Sequence, residues 1–328
     1  MKFQKNIPLK NRTSFKIGGP AKYFFEAKNL KNLFEAVKKA KQEKIPIFIF
    51  GGGTKLLVSD KGFDGLVIKI LNSKFQILNS KIIADVGVKL GDLVRASVGN
   101  NLTGLEWAIG IPGTIGGAVC GNCGAFGSSI SEAVKNVAAL NPDTLKIKKY
   151  TNKECQFGYR ESIFSARGVL QRRIRLGRRS AFGGKRNKDI IVSVELRLKK
   201  GDSKKSLIIM KEYSERRRKR IPVYPSSGSI FKNYELRSMN YEDDPLVKKF
   251  PELKKEIKGG KIPVAYFIEK CGLKGKQIGG AKISEQQANI IVNFNQAKEK
   301  DVSSLIDLAK KQVKKKFGVD LEEEIIRL

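Results

Sequence analysis

An α+β chain in two domains that meet near residue 200 is what the sequence predicts, on three observations. Alternating strand-like runs and amphipathic helical runs intermingle along the whole length. Turn signals join neighbouring strand candidates into hairpins. A further region after the helical run at 203–220 opens rich in Gly and Pro. With 328 residues, 41% of them hydrophobic, the chain has material for two cores.

The elements follow in order. Residues 22–27, KYFFEA, alternate as a short strand. Residues 29–44 set Leu30, Leu33, Phe34, Val37 and Ala40 at helical spacing. IPIFIF (45–50) reads as a buried strand running directly into GGGTK (51–55). LLVSD and GLVIKI are further strands, and FQILNSKIIADVG is a hairpin turning at Asn79-Ser80. KLGDLVRASVGN (89–100) is a short amphipathic helix. A glycine-rich stretch follows, in which Gly110 and IPGTIGGAVCGNCGAFG together pack seven glycines into eighteen residues. NVAALNPDTLKIKKYT is a second hairpin, turning at Asn141-Pro142-Asp143. Residues 167–188 carry nine Lys or Arg, no acid and no clean periodicity, and are read as an exposed basic insertion. A strand at 189–198, a helix at 203–220 and a helix at 301–318 complete the series.

Composition narrows the chemistry. There is no histidine. Ser-His-Asp and Cys-His nucleophilic catalysis, imidazole metal sites and flavin attached through histidine are therefore excluded. Proton chemistry falls to Ser, Tyr, Lys, Arg, Asp, Glu or Cys. The net charge of +33 attracts anionic partners, but the basic residues are scattered rather than gathered into one stripe. Cys120 and Cys123 form a lone C-x-x-C without a second pair, so small thiols filling tight space are expected and no metal is assigned. No apolar run reaches the roughly 20 residues of a membrane span. The first fifteen residues lack the apolar centre of a secretory signal. A cytoplasmic protein is expected, as a monomer, with a small-molecule substrate and neither a membrane nor a nucleic acid as partner.

A strand ending in Gly-Gly-Gly-Thr and a second glycine-rich loop suit a pyrophosphate, because backbone N–H groups reach phosphate oxygens where no side chain intervenes. Neither loop has P-loop or Rossmann spacing. The strings SFKIGGPAKYF, FGGGTKLLV, LTGLEWAIGIPGTIGGAVCGNCGAFG and YRESIF resemble the flavin domain of the UDP-N-acetylenolpyruvoylglucosamine reductase family, also called UDP-N-acetylmuramate dehydrogenases. ERRRKRIPVYPSSGSIFKN, AYFIEKCGLKGKQIGGAKIS, QQANIIVN and LEEEI are similar to that family's substrate domain, in the same order.

The resemblance implies a two-subdomain FAD-binding fold of the vanillyl-alcohol-oxidase (PCMH) type over residues 1–200. It implies a smaller α+β substrate domain over 201–328, whose C-terminal tail returns to the active site. It implies a tightly bound, noncovalent FAD, NADPH as hydride donor, and reduction of an enolpyruvyl ether on UDP-N-acetylglucosamine, in cell-wall precursor synthesis. The FAD contacts expected by resemblance are Gly51, Gly52, Gly53, Thr54, Pro112, Gly113, Thr114, Gly116, Gly117, Asn122 and Gly124.

Hydride addition to the β-carbon leaves charge on the α-carbon and its carboxylate, which a fixed guanidinium suits. By resemblance that residue is Arg160, with Tyr159 beside it as a substrate contact. Ser229 of SSGSIF is the proton donor by resemblance; serine is a weak acid, but an enolate carbon is a strong base. Read without the motif, Ser226, Ser227 and Ser229 are turn residues. Glu324 is the third catalytic residue, with Glu322 and Glu323 competing for the assignment. Arg217, Asn233 and Gln287 are the remaining substrate contacts implied. Lys55 and Tyr234 depart from the family pattern, which has asparagine and proline there, and the 167–188 connector is longer than usual. Two rivals are weaker. An alcohol or sugar oxidase on the same scaffold leaves the Tyr-Arg, Gly-Ser and terminal Glu motifs unused. A nucleic-acid binder lacks a zinc finger, an RRM signature or a stacking run of aromatics.

Overall fold

A computed structural model describes residues 1–165, 188–236, 238 and 240–328. All of the basic insertion 167–188 except Lys188 lies outside the described residues. The fold is α+β, as expected, and the chain forms two compact units.

The first unit comprises Met1–Pro8, Pro20–Gly53 and Gly62–Arg218. It holds two principal sheets. In one, the strands run Gln4–Pro8, Pro20–Ala27, Phe63–Ile70, Ile47–Phe50; the first pair is antiparallel and the others are parallel. Helix Leu30–Gln42 supplies the crossover and buries Leu33, Val37 and Ala40 of the predicted stripe together with Ala36, while Phe34 is half-buried and Leu30 exposed. Its N-cap is Asn29, whose side chain accepts a hydrogen bond from the Asn32 N–H. The second sheet is antiparallel in the order Ile147–Thr151, Val134–Leu140, Ile190–Arg197, Lys81–Asp85, Phe75–Leu78. Both predicted hairpins are in it.

The sequence reading treated the glycine-rich stretch as a loop, but a helical turn and a half, Ile115–Cys120, lies inside it. Two glycines disfavour that helix. It forms because Thr114 Oγ1 caps it at the Gly117 N–H (3.4 Å) and because Ile115 and Val119 are buried. LLVSD contributes only the two-residue strand Leu56–Leu57.

Helix Ser203–Arg218 belongs to the first unit, and the chain changes unit between Arg218 and Lys219. The helix is held by Ser206, whose hydroxyl donates to the buried Glu106 carboxylate at 2.6 Å.

The second unit comprises Lys219–Leu328 together with Leu9–Gly19 and Thr54–Lys61. Its sheet runs Ser226–Ser229, Ile290–Asn293, Ala281–Ile283, Gln277–Ile278, all antiparallel. Helices Val264–Lys270 and Glu299–Phe317 pack through Phe267 and Phe317, whose ring centroids lie 5.1 Å apart. The early segments insert Phe15, Ile17 and Leu57 into this core. The strand Ile326–Arg327 pairs in parallel with Leu56–Leu57.

Candidate active site

In the first unit the two glycine loops converge. A Cβ on Gly51 would collide with Thr114, and one on Gly116 would lie 2.7 Å from Val86 Cβ. Close approach of backbone therefore dictates glycine at both positions. Gly52, Pro112 and Gly117 are exposed beside them, and a Cβ on Gly117 would meet only Thr114 Oγ1, at 3.8 Å. Bare, accessible backbone from two loops is a donor set that fits the pyrophosphate of FAD. Gly53 and Gly113 lie in the same loops, and Thr54 falls in the second unit.

Asn122 and Gly124 hold the neighbouring loops together. The Asn122 amide ties its own loop down: Nδ2 donates to Gly158 O at 2.8 Å, and Oδ1 accepts from Ser131 N at 3.3 Å. The carbonyls of both residues receive Arg160, whose Nη2 donates to Gly124 O at 2.6 Å and Nη1 to Asn122 O at 3.5 Å. Tyr159 and Arg160 form the tip of a tight turn closed by mutual backbone bonds between Gly158 and Glu161. Arg160 is left-handed there, with φ 59°. That conformation costs a non-glycine residue about 1–3 kcal/mol and persists only where the surroundings enforce it. The guanidinium also lies 5.4 Å from the Tyr159 ring centroid.

Arg217 projects from helix Ser203–Arg218. Nη2 donates to Trp107 O at 3.0 Å, while Nε is buried with no hydrogen-bond partner among the described residues. The guanidinium lies 5.0 Å from the Phe126 ring centroid, and Phe126 stacks on Tyr213 at 4.0 Å. Burial, reinforced by the like charge of Arg160, holds the Arg217 pKa below its ordinary value against an opposing effect of Cys123. A partly desolvated cation with an unused N–H is equipped to take an anion.

In the second unit, the strand Ser226–Ser229 separates its three serines. Ser227 is buried, Ser226 Oγ accepts from Gly228 N at 3.4 Å, and Ser229 is partly exposed. Gly228, at φ +71°, supplies the kink between them. Asn289 pins the segment like a length of strand, exchanging two 2.9 Å bonds with the backbone of Phe231.

The terminal glutamates alternate in environment. Glu322 is exposed and paired with Lys232 at 2.7 Å. Glu323 is buried between Lys310 and Arg327. Burial opposes its ionisation, but hydrogen bonds from Arg327 and Lys310 prevail and hold its carboxyl below the ordinary value. Glu324, with a side chain 12% exposed, meets Lys55 Nζ at 2.9 Å. Its N–H donates to Ile230 O at 2.6 Å, so it lies beside the residue that follows Ser229. The structure thus brings Ser229 and Glu324 together and gives the competing glutamates other partners.

Asn233 Oδ1 accepts from Val264 N at 3.3 Å at the start of helix Val264–Lys270. It borders a pocket of about 150 Å³ with Lys232, Tyr234, Asp320 and Leu321. Gln287 sits in the turn before the Ile290–Asn293 strand, its N–H donating to Ser284 Oγ at 3.3 Å. Sequence reasoning missed Asn289, whose only signal is an amide inside the apolar run of QQANIIVN. It noted Lys55 solely as a departure.

Two family descriptions match the chain: "FAD binding domain" over residues 21–144, and "UDP-N-acetylenolpyruvoylglucosamine reductase, C-terminal domain" over residues 220–328. The reductase of that name from Alkaliphilus oremlandii is 36% identical over 97% of this chain and 90% of its own length. That from Caldanaerobacter subterraneus is also 36% identical, over 99% and 93%. The crystal structure of UDP-N-acetylenolpyruvylglucosamine reductase from Thermus caldophilus superposes with a TM-score of 0.73 at 28% identity, covering 100% of this chain and 99% of that one. Matches at both ends of the chain, and along its whole length, establish that it belongs to the UDP-N-acetylenolpyruvoylglucosamine reductase family of FAD-dependent oxidoreductases.

Proposed function

We propose that this chain reduces UDP-N-acetylenolpyruvoylglucosamine to UDP-N-acetylmuramate, with NADPH as hydride donor, in the cytoplasmic stage of cell-wall precursor synthesis. When bound, FAD carries the hydride between the two substrates. The backbone of Gly51–Gly53 and of residues 112–117 would hold its pyrophosphate. Asn122 and Gly124 serve the flavin region indirectly, by fixing Arg160.

Arg160 meets the substrate carboxylate and stabilises the charge that spreads onto it when hydride reaches the β-carbon. The observation that carries this reading is the left-handed Arg160, held at a turn tip by two carbonyls. A structural arginine gains nothing from a strained backbone, whereas a guanidinium aimed at one carboxylate does. Tyr159 and Arg217 contact the substrate, Arg217 through its unused N–H. Ser229 protonates the α-carbon. Its hydroxyl loses a proton as the new C–H bond forms, and the enolate carbon is basic enough to draw it. Glu324 orients that hydroxyl, while Asn233 and Gln287 bind the nucleotide-sugar.

Anaerobic visible spectra test the proposal. The purified protein should be yellow, bleach with NADPH, and regain colour on addition of the UDP-enolpyruvyl-sugar. A protein that cannot be reconstituted with FAD, or whose colour returns equally with simple alcohols or no substrate, would overturn it.

A further inference from the structure

Lys55 stands outside every role assigned above, yet it touches both residues given to the proton transfer. Its Nζ is 2.9 Å from Glu324 Oε1 and donates to Ser229 O at 3.0 Å. Its backbone carbonyl accepts from Ile326 N at 2.8 Å, in the parallel pair with the terminal strand. Glu324 N in turn donates to Ile230 O. These contacts close a circuit: Lys55 to Ser229, Ile230 to Glu324, Ile326 back to Lys55. Three chain segments distant in sequence are thereby fixed to one another by one side chain and two backbone bonds. Lys55 Nζ also stands 3.7 Å from the position a Cβ would take on Gly228, above the kink that presents Ser229.

We infer that Lys55 is a positioning residue for the proton-transfer pair: its ammonium bridges the Glu324 carboxylate and the Ser229 backbone and fixes one against the other. A charge-assisted contact to the carboxylate and a second bond from the same ammonium to the Ser229 carbonyl fix the two segments at one spacing. The other charges of the tail are occupied elsewhere: Glu322 by Lys232, Glu323 by Lys310 and Arg327.

This inference rests on the proposed reductase activity, so the wild-type protein is the control. Flavin reduction by NADPH and reoxidation by the UDP-enolpyruvyl-sugar are followed separately by anaerobic stopped flow in wild type, Lys55→Met and Lys55→Arg. Lys55→Met should leave the reduction rate unchanged and slow reoxidation on the order of 10²-fold, the scale of a small misplacement of reacting groups. Lys55→Arg, which keeps the charge and the donors, should restore most of that rate, whereas a loss of packing alone is not rescued by charge. Reoxidation in Lys55→Met at the wild-type rate would overturn the role of Lys55. So would slow reoxidation that Lys55→Arg leaves as slow as Lys55→Met. A wild-type protein that is not reoxidised by the sugar would instead overturn the activity. Thermal melting of each variant separates misfolding from either outcome, and if Lys55→Met does not fold, Lys55→Gln replaces it with the same two readouts.

Discussion

Ser229, Arg160 and Glu324 differ in how each is held, and their variants should fail differently. Ser229→Ala removes a hydroxyl from an already ordered strand, so reduction of the flavin by NADPH should stay intact while reoxidation by the sugar is lost. Arg160→Ala should impair the same half-reaction, and because alanine keeps the left-handed strain while losing both bonds to the Asn122 and Gly124 carbonyls, its melting temperature should fall. Stopped-flow absorbance and a melting curve on each variant check both. The glutamates give a sharper contrast. Glu324→Gln should slow reoxidation, and Glu322→Gln, which takes an exposed carboxylate from the buried Lys232 ammonium, should lower stability and leave the rate unchanged. Glu323→Gln should act on stability, since it takes a largely buried carboxylate from two partly exposed cations, Lys310 and Arg327. A harmless Glu324→Gln beside a damaging Glu322→Gln would place the catalytic carboxylate one turn of the alternation away.

At the scale of elements, Glu106 organises the entry to the glycine-rich stretch. Its carboxylate accepts from Thr103 Oγ1 at 2.7 Å, Gly104 N at 2.8 Å and Ser206 Oγ at 2.6 Å, joining strand Leu102–Thr103 to helix Ser203–Arg218. Burial alone would raise its pKa, but these donors outweigh burial and leave it below the ordinary value of a glutamate. A carboxyl depressed on folding contributes stability above its unfolded pKa and loses it as pH falls through the folded one. Unfolding should therefore become easier with acid below about pH 4.5. Glu106→Gln should cost about 1–3 kcal/mol at neutral pH and flatten that acid dependence, because its NH₂ would face the Gly104 N–H or the two hydroxyls. Denaturant titrations at several pH values measure both effects. Much of this level was legible. The amphipathic helices and both hairpins follow from periods of 3.6 and 2 and from Asn-rich turns. The Ile115–Cys120 helix was not, since two glycines conceal it and only its cap and its packing reveal it.

For the molecule as a whole, the net charge of +33 acts on its anionic ligands. KM for NADPH and for the UDP-sugar should rise with ionic strength between about 0.01 and 0.3 M, as screening shortens the reach of that field. Added FAD should raise the melting temperature of apoprotein in proportion to the logarithm of its concentration above Kd. The sequence by itself determined the α+β class, the histidine-free chemistry, the two glycine loops and the motifs that carry the family. All of these depend on residue type and local spacing. Only the tertiary structure decided that Leu9–Gly19 and Thr54–Lys61 belong with the C-terminal unit, which of three serines and three glutamates share one neighbourhood, and that Lys55 joins them. Those facts are pairings between segments far apart in the chain, set by which backbone edges and buried faces meet in the fold, and no local pattern records them.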